Sequence, residues 1–413
     1  MNKHVLMPTY MKDFACIGSE CEDSCCTGWQ VTLDKKSYKE YKNIKHPQLS
    51  KSLQQGMKRN KSDATSSANY ASFHLDQHGR CPMLNERNLC GIQLNLGEKM
   101  LSPTCKTYPR VVNLVDDTYE MSAKLSCPEV ARLVLLNKEK MECEEAEVTL
   151  DPSWSMLSVL DTQNPKLAEK YFWNIRVFTI DVLQNRNWSI EERLVFLGLF
   201  IQKLEQLLAQ NHIEHIPDLI HEYIDKMESS DIQASLDMIK GNVKMQMHII
   251  MHFVSLRAKL GVSSERYVSI FSDMLSGFGL DQGDTIDVDL LEQQYLSNYT
   301  MYYEPFMSDH SYMLENYLVN HVFESMFPKS GDSLFSDYML MAVIYMMVRI
   351  HLIGISGHYK GLNEEIVIKV VQSFNRVTMH SSNYLEMIKT YFKENEFDSL
   401  AHIVAILSTR VAE

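Results

Sequence analysis

All nine cysteines of this chain fall within its first 143 of 413 residues, and this crowding most narrows what the chain can fold into. They are Cys16, Cys21, Cys25, Cys26, Cys81, Cys90, Cys105, Cys127 and Cys143. A disulfide framework is one use for them, but three features weigh against it. The count is odd, and a chain of this length folds without covalent staples. The opening Met1 to Asp13 (MNKHVLMPTYMKD) also lacks the apolar stretch and small-residue cleavage site of a secretory leader. The expectation is a cytoplasmic protein whose thiols serve a metal or iron–sulfur site, since reducing cytosol disfavours disulfides.

Length and composition bound the rest. At roughly 150 residues per domain the chain is long enough for two to three. A 45% hydrophobic and 23% charged composition with only 16 Gly and 11 Pro is that of a folded globular chain. The net charge of −13 argues against a general nucleic-acid binder, which needs a basic surface. Residues 1–150 carry 20 Lys+Arg against 19 Asp+Glu, and the remainder 20 against 34, so the second part would attract a basic, lysine-bearing partner. The longest apolar run, Tyr338 to Val348, ends at Arg349, well short of the ~20 residues of a membrane span. It reads as a buried core helix, and no membrane partner is expected.

The pattern changes between Glu139 and Ser153, where an acidic stretch closes the cysteine region. Beyond it apolar residues recur at helical period: Leu167, Tyr171, Ile175, Phe178 and Val182, and then, after a capping box at Ser189–Glu192, Leu194, Leu197, Phe200, Ile201, Leu204 and Leu208. Further amphipathic blocks follow at about 217–228, 230–260, 264–276, 287–303, 309–327, 334–353, 363–393 and 396–411. Gly261, the Gly277–Gly283 turn, Pro305, Pro328 and Gly354–Gly361 read as breakers between them. No fixed repeat period is evident. Before the boundary the signals are mixed. Trp29–Leu33 alternates like a short strand, Lys35–Tyr41 begins a helix, and Lys51–Asn69 reads as a polar loop or exposed helix end. Arg110–Val115 and Thr118–Leu125 could pair around Asp116-Asp117. The expected fold is mainly α. A small irregular α+β Cys-rich metal-binding domain spans residues 1–150, and a larger irregular α-helical domain spans 151–413.

Two constellations could carry metal chemistry. The first is Cys16-Ile-Gly-Ser-Glu-Cys21-Glu-Asp-Ser-Cys25-Cys26-Thr-Gly-Trp29. Its thiolates can wrap one centre if the loop bends back, which Gly18 and Gly28 would ease. Adjacent side chains diverge in extended chain, so Cys25 and Cys26 need not serve the same metal atom. The second comprises Cys81-Pro-Met-Leu84, Cys90-Gly-Ile92 and Thr104-Cys105-Lys-Thr-Tyr108-Pro-Arg110, with Cys127-Pro128 at a distance. Soft thiolates suit zinc and iron–sulfur centres alike. Zinc sites favour two compact knuckles, and only Cys21/Cys25 approach one, so spacing alone leaves both metals open.

These blocks, together with Pro8-Thr-Tyr-Met-Lys-Asp-Phe14 and Leu125-Ser-Cys-Pro-Glu-Val-Ala-Arg132, resemble the flagellin lysine N-methylase family. The cysteine part is also similar to small putative zinc- or iron-chelating domains. Glu315–Asn320 through Phe327-Pro328, and Arg376 to His380, look like looser C-terminal blocks of the same family. The resemblance implies methyl transfer from S-adenosylmethionine to lysine ε-amines of flagellin, and a [4Fe–4S] cluster rather than zinc. A cubane needs about four thiolates. Cys21, Cys25, Cys90 and Cys105 are the favoured set, with Cys16, Cys26 and Cys81 close behind. No catalytic or donor-binding motif matches residue by residue, so the activity attaches to the whole chain. The alternative is a non-enzymatic zinc- or iron-stabilised adaptor that binds a helical protein partner.

Other features carry weaker expectations. Tyr295, Tyr299, Tyr302, Tyr303 and Glu304 crowd one segment and could accommodate a sulfonium, but helix packing is the simpler use. Gly277–Gly283 follows no strand, which speaks against phosphate or donor binding there. His248 and His252 have metal-ligand spacing without the glutamate of a zinc-protease motif. Arg376 and His380 share one helix face, where surface or interface packing is preferred to substrate binding. Arg110 could offset a cluster's negative charge or simply edge a strand. The 25 methionines suit adaptable core packing, and Cys143 lies in an acidic stretch and is expected to have no function.

Overall fold

The computed structural model describes the chain except residues 1, 30, 62–65, 152–153, 155, 164–167, 240, 263, 281–286, 330–332 and 409–413. The amino-terminal part carries β1 (Asn2–Pro8), β2 (Thr32–Leu33), β3 (Met57–Arg59), β4 (Ala71–Phe73), β5 (Arg110–Val115), β6 (Thr118–Ala123), β7 (Cys143–Thr149) and β8 (Met156–Leu160). Between them lie the short helices α1 (Lys35–Asn43), α2 (Ser50–Gly56), α3 (Gly91–Leu96), α4 (Pro103–Thr107) and α5 (Pro128–Leu135).

Two sheets result. The larger has the order β7-β1-β6-β5-β8, and the smaller β2-β4-β3. The β5–β6 hairpin forms as its sequence indicates, with Val115 opposite Thr118 and Asp116 at φ 52° in the turn. Asp116 also accepts from the Thr162 amide and hydroxyl, both at 2.7 Å, which ties down the end of β8. β8 pairs parallel with β5, so the sheet runs to Leu160, past the acidic stretch at 139–153. That stretch itself forms β7, the antiparallel partner of β1. The Trp29–Leu33 segment forms a strand at Thr32–Leu33, paired with Ala71 and Ser72 of β4. Lys51–Asn69, expected as a loop, contains α2 and β3 before it runs into residues 62–65, outside the described part.

Helices make up the rest: α6 (Phe172–Leu183), α7 (Ile190–Ala209), α8 (Ile216–Met227), α9 (Ser230–Asp237), α10 (Val243–Lys259), α11 (Glu265–Gly277), α12 (Val288–Asn298), α13 (Glu304–His310), α14 (Tyr312–Glu324), α15 (Leu334–Tyr359), α16 (Glu364–Thr378), α17 (Ser382–Glu394) and α18 (Leu400–Leu407). α7 opens on the expected capping box, with Ser189 and Glu192 each bonding the other's backbone amide. Two apolar blocks divide: the Asn242 side chain caps α10 and separates it from α9, and 363–393 splits into α16 and α17. A π-helical turn at Tyr299–Tyr303 joins α12 to α13.

α15 is the central post, buried along most of its length by α7, α11, α12, α16, α17 and α18. Among the described residues it is the one helix long and apolar enough to cross a membrane, and 94% of its apolar window is buried inside the molecule. Gly354, expected to end it, lies within it. A Cβ on Gly277 of α11 would stand 1.7 Å from the Gly354 carbonyl oxygen, so the two glycines permit a backbone-to-backbone crossing that a breaker signal does not reveal.

One core passes from Val5, Met7, Val112 and Met121 of the large sheet into Leu194, Phe200, Met313 and Ile350 of the helices. A buried ion pair joins the two parts. Arg176 on α6 donates to Glu120 on β6 at 2.6 Å and to the Phe323 carbonyl at 2.8 Å. A second, smaller core under β2, β3 and β4 comprises Val31, Leu33, Tyr41, Leu53, Phe73 and Ile92 with their neighbours, and it positions the cysteines.

Candidate metal centre

The cysteine loops are held by backbone pairing over the smaller core. Gly28, at φ 79°, donates to the Gly79 carbonyl at 2.9 Å, and the Cys81 amide donates to the Cys26 carbonyl at 2.8 Å. This pairing sets the 16–29 loop beside Cys81. Gly91 donates to the Met83 carbonyl at 2.7 Å, which folds Cys90 back onto the same edge just before α3. Cys105 sits in α4, whose capping Ser102 accepts from the Cys105 amide at 3.4 Å, and a Thr32–Thr104 hydrogen bond of 3.1 Å ties α4 to β2. Cys26, Cys81, Cys90 and Cys105 all pack on this small core.

All nine cysteines are free thiols. Cys16, Cys21, Cys25, Cys26, Cys90 and Cys127 line one partly open hollow of about 130 Å³, with Phe14, Tyr108 and Arg110. Cys25 and Cys26 have sulfurs 4.0 Å apart. The Cys26 thiol interacts with the thiols of both Cys25 and Cys90. Those hydrogen bonds pull the Cys25 and Cys90 thiols below the ordinary range and hold Cys26 above it. Burial pushes Cys81, Cys105 and Cys127 up to about 12, and also raises Cys21.

The seven sequence candidates therefore divide. Cys16, Cys21, Cys25, Cys26 and Cys90 face the hollow, whereas Cys81 and Cys105 are not part of its wall and sit in the small core behind it. Cys127 joins the hollow although its distance in sequence hid it; the signal available was its place before Pro128 at the start of a helix. Cys143 is exposed on β7, away from the hollow. Among the described residues no three or more His, Cys, Asp or Glu side chains are gathered in the manner of a single-ion site. The donors instead surround a space. Soft thiols around a hollow are donors of the kind that zinc and iron–sulfur groups both take.

The helical part grips the first cysteine loop. Arg376 on α16, almost wholly buried, donates to the carbonyls of Ser24 at 2.6 Å, Asp23 at 3.4 Å and Thr27, and to the Thr27 hydroxyl at 2.9 Å. Gln372, one turn earlier, donates to the Asp23 carboxylate at 2.8 Å and the Ser126 carbonyl at 2.9 Å. Glu22 meets Arg132 of α5 at 2.5 Å and Arg266 of α11 at 3.6 Å. His380 stacks on Trp29 with centroids 5.4 Å apart and shares a 2.8 Å hydrogen bond with the Ser126 hydroxyl, which in turn bonds Tyr108 at 3.1 Å. Trp29 donates to the Cys25 carbonyl at 2.8 Å. Burial, with Lys124 and Arg376 nearby, depresses His380 to about 3, so it is neutral at ordinary pH. Arg376 and His380 thus pack at an interface, as their spacing suggested, and that interface is the back of the thiol loop.

The remaining candidates are structural. Tyr295 and Tyr303 are buried, and they stack with Tyr299 beside the buried Arg349. His252 stacks on Tyr391 at 4.6 Å, and His248 is exposed. The Gly277–Gly283 segment enters residues 281–286, outside the described part.

Fold and site together define a chain in which a helical body braces a thiol-lined pocket built from separated loops. The sequence profile of the FliB lysine N-methylase C-terminal domain matches residues 176–406, and the chain belongs to that family. Two relatives named lysine-N-methylase, from Salmonella choleraesuis and Salmonella typhimurium, are each 26% identical over 425 residues, covering 95% of this chain and 95% of theirs. The flagellar biosynthetic protein FliU of Salmonella muenchen is 34% identical over 145 residues, which is 34% of this chain and 82% of that protein. No solved structure matches.

Proposed function

We propose that this chain is a protein-lysine N-methyltransferase that moves methyl groups from S-adenosylmethionine to lysine ε-amines of flagellin, and that its hollow holds a [4Fe–4S] cluster. The observation that carries the activity is the near end-to-end likeness to relatives named lysine-N-methylase. The flagellar name of the third relative supports the substrate. The gathering of six thiols from separated loops supports the cluster.

Cys25, Cys26 and Cys90 would hold the cluster first, with Cys21, Cys16 and Cys127 supplying the remaining thiolate. Cys25 and Cys90 carry the lowered thiol pKa values and are the readiest to ligate as thiolates. A bound cluster supplies an electron-transfer centre and a cross-link between the loops. The chain's own residues do the rest. Arg376 and Gln372 fix the loop from behind. Phe14 and Tyr108 offer aromatic faces to a sulfonium at the hollow. A lysine amine, with a pKa near 10.4, must lose its proton before its nitrogen attacks. Methyl transfer then breaks a carbon–sulfur bond, forms a carbon–nitrogen bond and releases a neutral thioether. The excess acidic charge of residues 151–413 favours approach of a lysine-bearing surface.

Co-expression of the chain with flagellin, followed by peptide mass spectrometry, tests the activity. Methyl increments on flagellin lysines are expected. Unmodified flagellin beside cluster-loaded protein would overturn the assignment.

A further inference from the structure

Residues 34–61 carry nine Lys+Arg against Asp34 and Glu40, whereas the rest of the chain holds 31 against 51. The fold gathers five of those cations around α1 and a pair of tyrosines. Lys35 of α1 and Arg59 of β3 lie over the same Tyr70 ring, 5.9 and 4.7 Å from its centroid. Tyr38 of α1 meets that ring edge-on at 5.4 Å, and Lys42 lies over Tyr38 at 6.0 Å. Lys35, Lys36 and Lys39 line an open groove of about 600 Å³ with Ser67 and Ala68. Asp34, which also lines it, accepts from the Lys36 and Ser37 amides as the cap of α1. Lys35, Lys36, Lys39, Lys42 and Arg59 are exposed, and among the described residues none of them forms an ion pair. The helix gains nothing from this arrangement. Lys35 and Lys39 are like charges four residues apart, and Lys35 and Lys36 stand in the first turn, where the helix dipole disfavours cations. The charge therefore answers to something outside the helix.

We propose that this surface docks an acidic segment of the protein substrate. Recognition then has two signs: the basic face takes carboxylates, while the acidic helical part attracts lysines. The inference rests on the reading of the chain as a protein-lysine methyltransferase and names how it holds its substrate. Several observations select an acidic protein segment. The Tyr38 and Tyr70 rings are half-buried and engaged by cations and by each other, which removes the stacking platform that single-stranded nucleic acid uses. The 51 acidic residues elsewhere repel a long polyanion more than a short segment confined to this face. Among the described residues of 34–61 no large apolar side chain stands exposed to enter a lipid surface. Four of the five cations are lysines, point charges suited to a salt-sensitive contact rather than to forked recognition of one phosphate. Tyr38, Tyr41 and Tyr70 belong to the core that also packs Cys26, Cys81, Cys90 and Cys105, so a segment held here is anchored to the unit that carries those thiols.

The test is biolayer interferometry of anaerobically purified full-length protein on immobilised flagellin, for wild type and for the triple variant Lys35→Glu, Lys36→Glu, Lys39→Glu, with flagellin methylation measured for both. These reversals put acids at the start of α1, which favours the helix. Wild type should bind, more weakly as salt rises, and poly-glutamate should compete. The variant should bind about tenfold more weakly at low salt, mostly through slower association, the scale of three exposed charge pairs. Equal affinity of wild type and variant overturns the docking surface, and methyl increments on flagellin in the same samples would leave the activity standing. Failure of poly-glutamate to compete on wild type overturns it whatever the variant's folding. Stronger competition by oligothymidylate or by phosphatidylserine vesicles overturns it in favour of a nucleic acid or a membrane. Binding lost in the variant, with no methyl added to flagellin by wild type, overturns the activity and leaves the surface standing as a flagellin-docking face.

Discussion

Arg376 reaches across from α16 to the backbone of the loop that presents Cys21, Cys25 and Cys26. Replacing it with Met removes its hydrogen bonds to those carbonyls and leaves the Asp23 carboxylate with Gln372 but without its cation. Arg376→Met should therefore lower stability by about 3 kcal/mol, the scale for breaking a buried pair, and reduce iron per chain. Denaturant unfolding and iron analysis read both effects, and iron content equal to wild type would contradict the role given to Arg376. His380 makes the same interface pH-dependent. Its folded pKa of about 3 lies below the ordinary histidine value of 6.5, because burial and the nearby Lys124 and Arg376 oppose its charge. Between those values the unfolded chain binds the extra proton, so stability rises with pH across this window and is lost as pH falls through it. His380→Gln should flatten the dependence of the unfolding midpoint between about pH 6.5 and pH 3; an unchanged slope would show that His380 does not carry it. Among the thiols, Cys25→Ser and Cys90→Ser should remove most of the iron, whereas Cys143→Ser, exposed on β7, should leave it unchanged. The cysteine blocks were visible as residue types. Their division into a wall and a core behind it was not, because backbone pairs such as Cys81 with Cys26 join positions 55 residues apart.

At the level of elements, the contacts that matter join sequence-distant pieces through small or buried groups. The crossing of α11 and α15 rests on Gly277 against Gly354, where any Cβ meets backbone. Gly277→Ala should push the helices apart and destabilise the protein by about 1–3 kcal/mol, the usual cost of overpacking. A thermal unfolding midpoint equal to wild type would contradict that close approach. Helices were the elements best read in advance. The Ser189–Glu192 capping box, the α11 block and the apolar run of α15 announce themselves through local chemistry. The strands at the sheet margins did not. β1 lacks regular alternation, β7 is acidic and exposed on alternate residues, and β8 leaves Leu157 and Val159 exposed. Their identity as strands comes from pairing with β5, β6 and one another rather than from their own pattern.

Across the whole molecule, the thiol loops and the helices form one working unit. The small core shapes the cysteine blocks, the large core continues from sheet into helices, and α5, α11 and α16 each place a side chain against the 16–29 loop. The architecture changes from mixed sheet and helix to helix at about residue 160, and the site draws on residues from both sides of that change. The account depends most on the hollow being filled by an inorganic cluster. Iron and acid-labile sulfide, measured together with visible absorption on full-length protein purified without oxygen, test this directly. The account predicts about four irons per chain and a brown colour that bleaches on reduction. A colourless protein carrying stoichiometric zinc, or no metal at all, would contradict it.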